Sequence, residues 1–195
     1  MEGAEKGKTA LIVKSSGIVT YEYQIRKGLK VVFILDVTLE KPKISSVSLP
    51  KSSWAYTGEP IEPQVTVKAK VNGTTVTLKD TDYTVTYKKN VKAGTASVTV
   101  TATGDYTGTI TKKFTITPVK IRKVTLSKTS FKYDGKAHKP ATTVTAKVNG
   151  QVVTLKKGTD YTVKYENNTE IGTATVTVTG RGNYKGTIVK QFTIE

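Results

Sequence analysis

The chain has 195 residues but no cysteine, and only one histidine, one methionine and one tryptophan. Without cysteine there can be no disulfide framework, thiolate metal site or cysteine nucleophile. This absence suits the cytosol, and equally secreted proteins that fold without disulfides. A single histidine, His138, cannot supply a histidine pair for a metal site or an acid–base couple, so it is expected to be an ordinary surface loop residue. No apolar run is long enough to span a bilayer, so membrane insertion is not expected. The opening stretch MEGAEKGKTALIVKSSG is apolar only from Ala10 to Val13, too short for a secretory signal. No segment combines a helical period with caps.

Charge of one sign is also scarce. There are 15 acidic residues against 31 basic ones, a formal net charge of +16. Residues 1–43 carry 8 basic and 5 acidic residues, residues 44–119 carry 9 and 5, and residues 120–195 carry 14 and 5. Such an excess fits an anionic partner such as nucleic acid, teichoic acid or an acidic polysaccharide. It also fits a plain lysine-rich surface. Arginine occurs only at Arg26, Arg122 and Arg181. Specific phosphate and base recognition relies on arginine forks, so the lysine-rich surface is the favoured reading and no specific nucleic-acid partner is expected.

What the chain does have is the same module twice. Residues 44–79 align with 121–156 at one offset, and 81–116 with 159–194 one residue further on. About 40 of roughly 70 aligned positions are identical, the mark of duplication. A unit copied in tandem works by adding length, valency or both. Each copy spans about 75 residues, enough for a modest core. Its local pattern is β. Ala174, Val176 and Val178 alternate with threonines, as do Ala96, Val98 and Val100 with Ser97, Thr99 and Thr101. Tyr161, Val163 and Tyr165 repeat the alternation of Tyr83, Val85 and Tyr87. Asn149-Gly150 and Asn72-Gly73 are two-residue hairpin turns. Each copy reads as about seven short strands with turns every 8–12 residues, which predicts a sandwich or barrel.

The motifs run in a fixed order. The second copy has Tyr133-Asp134-Gly135-Lys136, Pro140, Gly158-Thr159-Asp160-Tyr161-Thr162-Val163, Asn167-Asn168, Gly172-Thr173-Ala174, Gly182-Asn183-Tyr184-Lys185-Gly186 and Phe192-Thr193-Ile194. The first copy keeps Tyr56-Thr57-Gly58, Pro63, Asp82-Tyr83-Thr84-Val85, Asn90, Gly94-Thr95-Ala96, Gly104-Asp105-Tyr106-Thr107-Gly108 and Phe114-Thr115-Ile116. This succession resembles the tandem bacterial immunoglobulin-like repeats of surface and secreted proteins of Gram-positive bacteria, particularly gut Clostridia. The resemblance covers residues 44–195. It departs in two loops, where Gly158 has no counterpart and Lys89 replaces the first Asn of Asn167-Asn168. It implies extracellular β-sandwich modules strung between catalytic, adhesive or wall-anchoring parts, with no shared ligand.

Residues 1–43 read as a smaller β segment of about three strands. Val19, Tyr21, Tyr23 and Ile25 alternate, and Val31 to Val37 is a continuous apolar strand. This segment suits the back half of a diverged preceding module. Glu40-Lys41-Pro42-Lys43 and Pro118-Val119-Lys120 read as linkers. Their shortness and prolines favour a semi-rigid rod. The chain stops at Phe192-Thr193-Ile194-Glu195, where the second copy closes, and is read as a piece of a longer protein.

Residues able to carry chemistry are few. Ser45, Ser46, Ser52 and Ser53 lack a nucleophile-elbow context. Gly104 to Gly108 joins two strands, so it is no phosphate cradle. Asp82 and Asp160 are read as turn caps. Tyr56, Tyr83, Tyr87 and Tyr106 recur as Tyr133, Tyr161, Tyr165 and Tyr184; core packing is favoured over a sugar or base platform, with Tyr184 and Tyr133 pinning loops. Lys112 and Lys190 share strand parity with Phe114 and Phe192. An amine on an apolar face snorkels at a strand edge, or joins Asn90, Asn168, Asp82 or Asp160 in an isopeptide cross-link; the first is favoured.

The sequence therefore predicts an all-β protein: two immunoglobulin-like sandwiches, 44–119 and 120–195, preceded by the β segment 1–43. It predicts no enzyme, no cofactor, and no catalytic or metal site, and it names no ligand-binding residue. The leading expectation is a non-enzymatic spacer or adhesive module of a cell-surface or secreted protein. The alternative is a binder of cell-wall or host polysaccharide through lysines and exposed tyrosines; a protein receptor is a third kind of partner.

Overall fold

The computed structural model of the chain describes residues 18–19 and 39–195. The protein is all-β, and a single 3-10 turn, Asp80–Asp82, is the one helical element among the described residues. Strands β1 (Ile18–Val19) and β2 (Leu39–Glu40) pair antiparallel. The other strands expected before residue 39, through Tyr21, Tyr23, Ile25 and Val31 to Val37, lie outside the described residues.

The first copy supplies β3 (Ile44–Ser48), β4 (Ser53–Ala55), β5 (Thr66–Val71), β6 (Thr74–Thr77), β7 (Tyr83–Lys88), β8 (Gly94–Ala102) and β9 (Thr109–Thr117). The second supplies β10 (Val119–Leu126), β11 (Ser130–Phe131), β12 (Thr142–Val148), β13 (Gln151–Thr154), β14 (Tyr161–Glu166), β15 (Gly172–Gly180), β16 (Tyr184–Lys185) and β17 (Thr187–Ile194). The strand that the second copy has in addition is β16, which pairs in parallel with Val119 and Lys120. Its counterpart in the first copy is a single bridge, Lys43 to Thr107.

These pairings correct both expected linkers. Pro118 alone separates β9 from β10, because Val119 donates its N–H to Asn183 O at 2.9 Å and joins the sheet at once. A proline cannot donate to a ladder and so marks the break between strands. The stretch Glu40–Lys43 is likewise tied down. Thr107 N–H donates to Pro42 O, Ile44 N–H donates to Thr107 O, and the Lys41 ammonium donates to Gly104 O at 2.6 Å.

The strands form four-stranded sheets in the order β4-β9-β8-β7, β11-β17-β15-β14 and β13-β12-β10-β16, and a three-stranded sheet β3-β5-β6. In the second copy two sheets enclose one core. Val176, Val178, Phe192 and Ile194 come from one sheet, and Val124, Val144 and Ala146 from the other, each at most 3% exposed. Period-two alternation delivers these side chains inward while threonines face out. The same alternation buries Ala96, Val98 and Val100 on β8 in the first copy. The burial patterns of β8 and β15 are identical residue for residue, as are those of β7 and β14.

Between Ile121 and Lys123 the β10–β12 register shifts, a β-bulge. Two consecutive residues, Arg122 and Lys123, are therefore exposed between the buried Ile121 and Val124. Ser45 and Ser46 stand at the same places in the first copy and are likewise exposed between buried Ile44 and Val47. That position accounts for the exposure of Ser45 and Ser46.

Compactness does not follow the repeat boundary. One compact unit takes the described residues up to Val47 with Thr66–Thr84 and Val100–Ile110; the other takes Ser48–Val65, Val85–Thr99 and Thr111–Glu195. Part of the first copy thus groups with the whole of the second.

Turn chemistry fixes the hairpins. Asn72 and Gly73 have φ of 49° and 81°, and Asn149 and Gly150 have 47° and 83°, the type I′ signature. Lys89 (φ 55°) and Asn167 (φ 53°) hold equivalent left-handed positions. Asparagine tolerates that region and lysine does not, so the loop substitution noted in the sequence costs stability. Lys89→Asn is expected to stabilise the protein by about 0.5–1 kcal/mol, read as a raised urea midpoint with unchanged m-value. An unchanged midpoint would count against strain at Lys89.

Candidate functional site

Tyrosines offered the richest candidate chemistry, and most of them are structural. Tyr161 is 3% exposed, and its hydroxyl lies 3.0 Å from Thr142 O and 3.2 Å from Thr142 Oγ1. Tyr83 is 8% exposed and donates to Asp80 Oδ1 at 2.6 Å. The difference in side-chain partners, Asp80 against Thr142, has a sequence cause. Asp80 aligns with Lys157, next to the inserted Gly158, and Val65 aligns with Thr142. Where the carboxylate is lost, a threonine hydroxyl appears. Tyr87 and Tyr165 donate to Pro63 O and Pro140 O, both at 2.6 Å. A proline carbonyl next to a sheet lacks a ladder donor, so a tyrosine hydroxyl fills the gap.

Burial raises the pKa of the Tyr87 and Tyr165 hydroxyls above the usual phenol range, with Glu62 adding to the effect at Tyr87 and Tyr161 at Tyr165. Tyr184 is raised chiefly by burial, then by Tyr56 and Asp160.

Two tyrosines meet across the join between the copies. The Tyr56 ring stands edge-on to Tyr184, with centroids 5.9 Å apart and planes at 77°. Tyr56 also packs against the core of the second copy. Beside it, Ala93 N–H donates to Asn183 Oδ1 at 2.8 Å. The role expected for Tyr133 is corrected. It is 47% exposed, and its side chain makes neither a hydrogen bond nor a ring contact among the described residues, so it pins no loop. Exposed tyrosines therefore do not recur at matching places in the two copies.

The remaining candidates are structural. Asp82 accepts from Lys79 N–H and Asp160 from Lys156 N–H, both at 2.9 Å, closing the turns before β7 and β14. Asn90 and Asn168 are held by backbone exchange. Asn90 O accepts from Ile61 N–H and Asn168 O from His138 N–H, while each side-chain amide donates back to the carbonyl of the same partner. His138 takes the buried place of Ile61. Its ring stacks on Phe131 at 4.6 Å, and Nε2 lies 3.2 Å from Asp134 Oδ1 without hydrogen-bonding geometry. It is a packed residue, not the open surface histidine expected. Among the described residues no group of three or more His, Asp or Glu gathers as a metal cluster would.

Lys112 and Lys190 are both exposed. Lys190 lies opposite the buried Val176 in the β15–β17 register, so it does start on the inner face. β11 borders β17 only at Thr193 and Ile194, leaving an open edge over which the ammonium reaches water. An isopeptide bond needs a desolvated amine, and neither lysine has one. Most of the charge is similarly free: Lys164 to Glu166, at 2.8 Å, is the one lysine–carboxylate ion pair among the described residues. Lys89 and Lys92 line an open depression of about 600 Å³ formed by the β7–β8 loop.

A scan of protein-family models and a search of curated proteins find no match to this chain.

Tyr165→Phe should cost about 1 kcal/mol by leaving Pro140 O without its donor. A raised tyrosine pKa favours the folded state up to the unfolded value near 10, and that stability is lost as pH climbs through the raised folded values. Alkaline unfolding should therefore set in above pH ~10, and Tyr165→Phe should shallow its slope in a pH-resolved urea titration. The intact mass should equal the sequence mass; a deficit of one water or ammonia per copy would establish cross-links at Lys112 and Lys190.

Proposed function

We propose that this chain is a non-enzymatic spacer module of a bacterial cell-surface or secreted protein, made of tandem immunoglobulin-like repeats and able to carry adhesive parts. The ordered motifs that resemble Gram-positive surface repeats suggest the setting. The observation that carries the reading is the join. One residue, Pro118, separates β9 from β10, and the copies touch through Tyr56 on Tyr184 and Ala93 on Asn183. Such a join limits bending between modules and passes load directly from one to the next. The side chains best placed for chemistry are engaged in turns and packing, which suits a mechanical role.

Pulling the chain by its two ends in single-molecule force spectroscopy tests this. Two unfolding events are expected, each lengthening the chain by roughly 20 nm, the extended reach of about 75 residues less the folded span. Yielding without discrete events would overturn the reading.

The free lysines favour a second reading, a binder of anionic wall or host polysaccharide. Lysine charge without arginine forks gives weak binding that salt removes. Heparin or teichoic acid retained at high salt would move the assignment to that reading.

A further inference from the structure

The far end of the second copy repeats the receiving end of the first. Tyr133 N–H donates to Glu195 O at 2.7 Å, as Tyr56 N–H donates to Thr117 O at 2.9 Å. The His138–Asn168 exchange repeats Ile61–Asn90, and the Tyr165–Pro140 bond repeats Tyr87–Pro63. The scaffold that holds Tyr56 and Ala93 under the second copy is thus rebuilt around Tyr133 and Ile171. What differs is cover. Tyr133 is 47% exposed and Ile171 is 68% exposed, two of the five large apolar residues standing in solvent among the described residues. Ile171 N–H makes no hydrogen bond among them, whereas its equivalent, Ala93 N–H, is bonded to Asn183. The charge is altered to match. Glu170 stands where the first copy has Lys92, and the turn that fills the first copy's receiving end carries Arg181 and Lys185 beside Asn183 and Tyr184.

We propose that Tyr133, Ile171 and Glu170 form a docking surface for the Arg181–Lys185 turn of another copy of the second repeat, engaged as that turn engages Tyr56 and Ala93 in this chain. Tyr133 takes the edge-on contact of the incoming Tyr184, and Ile171 N–H donates to the incoming Asn183 Oδ1. Glu170 faces the positive turn, and isoleucine in place of alanine adds apolar contact. The contact is head-to-tail, so it propagates and does not close. It stands on the geometry of the join alone; failure here leaves the spacer reading to its own force test.

The test extends the full chain by a second copy of residues 118–195 fused directly after Glu195, with amide hydrogen exchange read residue by residue. The Ile171 amide should exchange about tenfold more slowly than in the unextended chain, approaching Ala93 in the same molecule. Asn183→Ala in the added copy alone should restore fast exchange. Tyr133→Ala, at an exposed position that leaves the fold intact, should do the same. The proposal is overturned if Ile171 exchanges at one rate in both proteins while Ala93 stays protected. Protection that survives both substitutions overturns it equally.

Discussion

Everything in this fold hangs on two central strands, β8 and β15, each burying an alanine followed by two valines at no more than 1% exposure. Period-two geometry makes their other face hydroxyl-rich, where Thr99 and Thr111 approach to 2.9 Å and Thr179 and Thr187 to 3.3 Å. A one-residue slip would exchange the faces and set threonines in the core. Short β-branched side chains pack closely around a few large rings. Phe192 lies deep, with Phe131 meeting it edge-on at 5.3 Å; Trp54 meets Phe114 in the same way at 5.1 Å.

Lysine does more than set the net charge. Lys112, Lys113 and Lys190 sit on β9 and β17, and the open stretch of β17 is a row of unpaired backbone groups. Charged side chains there discourage another chain from adding a strand. Lys51 and Lys128 lie 5.2 Å and 4.9 Å from the ring centres of Trp54 and Phe131, covering aromatic surface that would otherwise face water. The lysine surface is thus partly an anti-aggregation device, which weakens any inference from charge to ligand.

The alternating strands, the Asn-Gly hairpins and the all-β class were legible because they depend on neighbours within a few residues. The receiving end was not. Tyr133 and Tyr56 are the same residue in the same motif, and only contact with Tyr184 separates a covered ring from an exposed one. The snorkelling of Lys190 at a strand edge was legible from parity, which tells which face a side chain starts from; that the edge is open over Lys190 depends on β11, which pairs with β17 only at Thr193 and Ile194. His138 was read as a loop residue because its burial comes from Phe131 and Asn168, seven residues upstream and thirty downstream. Pro118 hid the join: the residues after it looked like linker, and their partners in β16 lie some sixty-five positions away.

The exchanged tyrosine partners carry an evolutionary consequence. Tandem units of common origin can undergo unequal crossing-over, which lengthens or shortens arrays by fusing the front of one unit to the back of another. A crossover between the positions of Val65 and Asp80 produces two unlike hybrids. One joins Thr142 to Asp80 and gives its tyrosine both side-chain acceptors. The reciprocal product joins Val65 to Lys157 and lacks both of these side chains, Asp80 and Thr142. The two recombinants therefore differ in the side chains offered to this tyrosine, while the backbone carbonyl that Thr142 supplies in the second copy does not depend on which side chain stands there.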